Sequence, residues 1–111
     1  MGCGSCDPYD TEVLIHSPGQ LARIGEKIRA AVNDGVLCYN SFESDRELIH
    51  QPSFLTLDFS GVLPDAMRYH FHCPSCGNCY SLSVEVYHGR GGKWGCVGNL
   101  PPSILAERNK P

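Results

Sequence analysis

Residues 67–87 read MRYHFHCPSCGNCYSLSVEVY, and this stretch decides the fold. Met67, Tyr69, Phe71 and Cys73 alternate with Arg68, His70 and His72, and after a break Tyr80, Leu82, Val84 and Val86 alternate with Ser81, Ser83, Glu85 and Tyr87. A period of two puts successive side chains on opposite faces, so both runs read as half-buried β-strands. Between them stands Cys73-Pro74-Ser75-Cys76-Gly77, the C-P-x-C-G pattern of a thiolate knuckle. Two sulfurs two residues apart grip one ion, while the glycine takes the tight turn that aims amide N–H groups at them. The runs therefore predict an antiparallel hairpin with a knuckle as its turn, the basic unit of a zinc ribbon.

Reading outward, Ser17-Pro18-Gly19-Gln20 has the signature of a helix start: Ser17 as cap, Pro18 at the first helical position, Gln20 completing a capping box. Leu21, Ile24, Ile28, Ala31 and Val32 recur at helical spacing, and Asn33-Asp34-Gly35 supplies the stop. Thr11–His16 and Val36–Asn40 read as short strands, and Phe54–Phe59 as a third, because Leu55, Leu57 and Phe59 alternate with Thr56 and Asp58. Phe42–His50 is ambiguous, with a helical turn capped near Ser44 as one reading. His88-Gly89-Arg90-Gly91-Gly92 reads as a hairpin turn, Lys93–Val97 as a further strand, and Ser103–Pro111 as a closing helix. The expected architecture is a single α+β domain over 1–111, one amphipathic helix on a small antiparallel sheet of about four strands containing a zinc-ribbon-like hairpin. Residues 1–10 form an amino-terminal Cys-x-x-Cys segment and 98–111 a tail.

The chain has 111 residues, a formal charge of −3 and seven cysteines. A metal staple would add usefully to the modest apolar burial of a domain this size. The mild acidity offers no broad positive field for a phosphate backbone, which disfavours nucleic acid as the main partner. No apolar run approaches the roughly 20 residues of a membrane helix. With no secretory signal in view, a reducing cytoplasmic compartment is expected, where Cys-x-x-Cys pairs hold metal more often than they form disulfides. Met1-Gly2-Cys3-Gly4-Ser5-Cys6 lacks the Ser or Thr that a myristoylation pattern wants at position 6.

A tetrahedral zinc site needs four ligands, and the knuckle supplies two. Cys3 and Cys6 form a second Cys-x-x-Cys and would complete a closed four-cysteine site with Cys73 and Cys76, the completion we favour. Alternatively Cys79 or Cys96 brings a sulfur back over the turn, or His70, His72 or His88 supplies a nitrogen. Cys38, Cys79 and Cys96 otherwise read as small buried hydrophobes. A thioredoxin-like redox role for Cys73 and Cys76 is disfavoured, because such a pair normally opens a helix whose terminus lowers a thiol pKa.

The face carrying Arg68, His70, His72, Ser81, Ser83, Glu85 and Tyr87 is the wet side of the sheet, or else a binding surface. Pairing His70 or His72 with Glu85 for acid–base chemistry would require those groups to converge in a pocket. The turn Tyr87-His88-Gly89-Arg90-Gly91-Gly92-Lys93-Trp94 lacks the spacing of a phosphate loop. Its Tyr87, His88, Arg90 and Trp94 suit an interface anchor, although a lone tryptophan more often fills the core.

The run Asp65–Cys73, then Cys76-Gly77, Leu82, Glu85, Tyr87-His88-Gly89 and Gly91-Gly92-Lys93-Trp94, resembles a pattern of small bacterial immunity-type proteins from toxin–immunity gene pairs. The likeness covers mainly residues 65–97, with Y-H-G-x-G-G-x-W its most specific part, and it does not reach Cys3 and Cys6. It implies a cytoplasmic non-enzyme that neutralises a cognate protein toxin, with Glu85, Asp58 and Asp65 as candidate acidic contacts for a basic toxin. The alternatives are a zinc-ribbon module of a nucleic-acid or transcription complex, and a small enzyme using His70 or His72 with Glu85.

Overall fold

A computed structural model of the chain describes residues 4, 6–40, 51–59, 61, 66–85 and 91–100. The expectations for Phe42–His50, Val86 and the closing helix fall outside those residues.

The helix forms as its caps dictate. α1 spans Pro18–Asn33; the Ser17 side chain accepts from the Gln20 backbone N–H, while Gln20 Oε1 reaches one residue further back than a capping box requires and accepts from the His16 N–H. At the other end the N–H of Gly35, at φ 78°, donates to the Val32 carbonyl and that of Val36 to Ala31. These are the two bonds of a Schellman stop.

Five strands follow in chain order: β1 Val13–Ile15, β2 Cys38–Tyr39, β3 Ala66–His72, β4 Asn78–Glu85 and β5 Gly91–Asn99. They form one antiparallel sheet in the order β1-β5-β4-β3-β2. Among the described residues the count of about four becomes five, because the two short runs both add edges: Val13 pairs with Trp94, and Cys38 with His72. The expected strand at Phe54–Phe59 does not form. Ser53 caps a 3-10 turn over Phe54–Thr56, and Arg29 donates to the carbonyls of Phe54 and Leu57, so a guanidinium takes acceptors that a neighbouring strand would otherwise have filled. Phe54, Leu57 and Phe59 are buried instead, and Leu55 is exposed.

The core lies between the helix and one face of the sheet. Met67, Tyr69 and Phe71 of β3, Tyr80, Leu82 and Val84 of β4 and Trp94 of β5 meet Leu21, Ile28 and Ala31 of α1. Phe54 stands edge-on to Phe71 at 4.9 Å between ring centres and contacts Tyr39, Tyr69 and Phe59. Gly25 gives Phe59 its place, since a Cβ there would come close against the Phe59 ring. The opposite face is not uniformly wet. Arg68 and Lys93 are exposed, whereas His72 and Ser81 are buried, and His72 Nδ1 lies 2.6 Å from Asn40 Oδ1.

Candidate metal centre

The turn between β3 and β4 is closed by its own backbone. Cys73 N–H donates to the Asn78 carbonyl and Gly77 N–H to the Cys73 carbonyl, each at 2.8 Å. Gly77 has φ 84°, a conformation that costs a residue bearing a Cβ about 1–2 kcal/mol. The end of β5 clasps the outside of this turn: Leu100 N–H donates to the Gly77 carbonyl, and Asn99 Nδ2 donates to the Cys76 carbonyl and to Asn78 Oδ1. These contacts hold the backbone that carries the two knuckle cysteines.

A third sulfur arrives from the far end of the chain. The Tyr9 N–H donates to the Cys6 carbonyl, opening a 3-10 turn over Asp7–Tyr9. Trp94 Nε1 donates to the Tyr9 carbonyl at 2.8 Å, and Lys27 Nζ donates to the Pro8 carbonyl while lying over the Tyr9 ring. Held this way, Cys6 is fully buried and its Sγ is 3.5 Å from Cys76 Sγ.

The sulfurs of Cys6, Cys73 and Cys76 all lie within 4.8 Å of one another. Tetrahedral zinc with bonds of about 2.3 Å sets sulfurs roughly 3.8 Å apart, a spacing this cluster can adopt with small side-chain adjustments. Three thiols form a soft donor set of the kind that selects zinc over magnesium or calcium. The three cysteines are thus close enough to bind a metal ion. Cys3, the expected fourth ligand, lies outside the described residues.

The alternative ligands are placed elsewhere. Cys79, half-buried on β4, has its thiol against the Gly77 carbonyl, and Cys96, exposed on β5, has its thiol against the Gly98 carbonyl. Neither belongs to the cluster, and Cys38, Cys79 and Cys96 are less buried than small core hydrophobes would be. His70 and His72 alternate with the core-facing residues of β3, which puts them on the other face of the sheet from the β4 core residue Tyr80.

Tyr80 had no mark in the sequence beyond its place in an apolar alternation. It is fully buried, stacks on Trp94 at 5.2 Å and 9°, and its hydroxyl hydrogen bonds with the Cys6 side chain, while Asn78 Nδ2 donates to it. Burial pushes the Tyr80 phenol far up, and the Cys6 bond adds to that, so it remains a protonated donor beside the sulfur. Asn99, Tyr9 and Tyr80 escaped the sequence reading because each acts through contacts that only the folded sheet creates.

On the polar face the register aligns Arg68, Ser83 and Lys93 in one row, His70, Ser81 and Gly95 in the next, and Ala66, Glu85 and Gly91 beyond. Arg68, Ser83, Glu85, Gly91 and Lys93 border an open cleft of about 400 Å³, and Lys93 pairs with Glu12 at 3.3 Å. His70 and Glu85 sit four residues apart along the strand direction, about 13 Å at 3.3 Å per residue, which the expected acid–base pairing would have to span. Trp94 is 1% exposed and belongs to the core rather than to a contact surface. Asp58 is exposed, while Asp65, Tyr87, His88 and Arg90 lie outside the described residues.

No protein-family model, curated protein or solved structure matches this chain. Among the described residues, no helix is long and apolar enough to cross a membrane.

Proposed function

We propose that the chain is a non-enzymatic protein-binding module stapled by one structural zinc ion, held by Cys6, Cys73 and Cys76 with Cys3 as fourth ligand in a zinc-ribbon-like hairpin. The supporting observation is the convergence of three thiols from segments 70 residues apart, two of them fully buried. Four thiolates close the coordination shell, which suits a structural ion and leaves no open position for substrate. Tyr80, Asn78 and Asn99 would form the surrounding shell that orients the sulfurs.

The partner we propose is a cognate bacterial toxin, as the immunity-type pattern implies, and the contact surface is the polar face of Arg68, His70 and Glu85, with Tyr87, His88 and Arg90 as further contacts on the ground of that pattern alone. Its mixed charge gives steering and register rather than a uniform field.

Two experiments separate the parts of this proposal. Elemental analysis of protein purified without added metal should find about one zinc per chain, and folded, metal-free protein would remove the staple. Co-expression with the product of the neighbouring gene should yield a complex that blocks that product's toxicity; Arg68→Glu and Glu85→Arg should weaken it while leaving zinc content intact. A neighbour that neither binds nor is neutralised would sink the immunity reading alone.

A further inference from the structure

The contact between Cys6 and Cys76 has a chemistry separate from metal binding. Their sulfurs are 3.5 Å apart and a disulfide needs about 2.05 Å, so these two sulfurs are already near neighbours and would have to close by about 1.5 Å to bond. The three clustered thiols differ in access: Cys6 and Cys73 are fully buried, whereas Cys76 is half-buried and is the one an oxidant reaches first. Cys6 comes from a segment outside the knuckle, whose turn is shaped by the Gly77 N–H bond to the Cys73 carbonyl.

We infer that Cys76 is an oxidant-reactive thiol and Cys6 its resolving partner, so that a hydroperoxide converts this site from a metal staple into a covalent one. The Cys76 thiolate attacks hydrogen peroxide, breaking the O–O bond; it becomes a sulfenic acid, and the hydroxide that leaves takes up a proton to become water. The Cys6 thiolate then attacks the Cys76 sulfur, forms the S–S bond and releases a second water after proton uptake. In sum, two thiols and one hydrogen peroxide give one disulfide and two waters. Both sulfurs stop being thiolate ligands, so a bound ion is expelled; this half of the inference rests on the zinc reading above. The link would keep residues 6–9 against Trp94 after the ion has gone. This differs from a Cys-x-x-Cys redox pair, because the partners are 70 residues apart in sequence.

The test treats full-length protein, zinc-loaded and metal-free, with stoichiometric hydrogen peroxide, then alkylates free thiols and maps linkages by peptide mass spectrometry. The expected result is Cys6–Cys76 as the main linkage in both forms, with one zinc released per link formed. Cys6→Ser should abolish the link and leave a Cys76 sulfenic acid that dimedone traps. Linkage of Cys73 to Cys76, linkage of Cys3 to Cys6, or oxidation of Cys76 to the sulfinic acid with Cys6 still alkylated would overturn the inference, and the wild-type map decides this even if the variant misfolds. A Cys6–Cys76 link in a protein that never binds zinc would support the thiol chemistry while removing the metal reading. Reversible zinc binding without the link would do the reverse.

Discussion

Two segments without a place in the sheet are fastened to the same core by different chemistry. The 51–59 segment buries Phe54, Leu57 and Phe59, and Arg29 covers the two phenylalanine rings while taking carbonyls of the segment. Buried apolar side chains of this size are worth about 1.5–3 kcal/mol each. Among the described residues before β1, Cys6 is buried and Tyr9 half-buried, and the contacts there include the Trp94 and Lys27 bonds to carbonyls and the Lys93–Glu12 pair. Such bonds contribute about 0.5–1.5 kcal/mol each, so this segment depends on what happens at the Cys6 sulfur. An apolar anchor works unaided, whereas a thiol anchor needs a ligand or a bond.

The contrast is easiest to break at the knuckle. Cys73→Ser should weaken zinc binding by more than the ~10–100-fold typical of an outer-shell change, with amide exchange accelerating at residues 6–15 and the emission of the single tryptophan, Trp94, shifting red. Equal acceleration over 51–59 would show that the two anchors are not independent. Phe54→Ala should cost about 3–5 kcal/mol in denaturant unfolding, because its ring contacts four aromatic neighbours, yet zinc content per folded chain should be unchanged. Gly25→Ala places a Cβ against the Phe59 ring and should cost about 1–3 kcal/mol; recovery of part of that loss by adding Phe59→Leu would locate the strain at this contact.

The smallest expected effect is alkaline. Tyr80 is held protonated in the fold, while an unfolded chain ionises its tyrosines near pH 10. Native protein therefore binds more protons above that pH, and the contribution of Tyr80, fully present below about pH 10, is lost as pH rises further. Burial raises Cys38 in the same direction, so Tyr80→Phe should reduce the alkaline slope without removing it. An unchanged slope would mean that Tyr80 is not shielded as its contacts suggest.

The legible parts were those governed by local rules. Ser17, Pro18 and Gly35 set the helix bounds through caps that involve neighbours in sequence, and the alternation over 67–86 put Met67, Tyr69 and Phe71 on one face because a pleat has a period of two. The same alternation misled at Leu55, Leu57 and Phe59, where the competing term was an arginine on a helix more than twenty residues away. It also put His72 in water, although Asn40, directly after the neighbouring strand β2, meets it. For the site, the knuckle and its glycine turn were readable as a motif, and the pairing with Cys6 was one completion among three.

By itself, then, the sequence determined the helix, the hairpin and the two knuckle sulfurs, because caps, pleats and tight turns are fixed by residues within a few positions of each other. Only the tertiary structure decided which distant thiol meets the knuckle, since that choice depends on Trp94 holding the Tyr9 carbonyl and on β5 closing over the turn. Local chemistry has short reach; bringing Cys6 to Cys76 across 70 residues required the whole sheet to be in place.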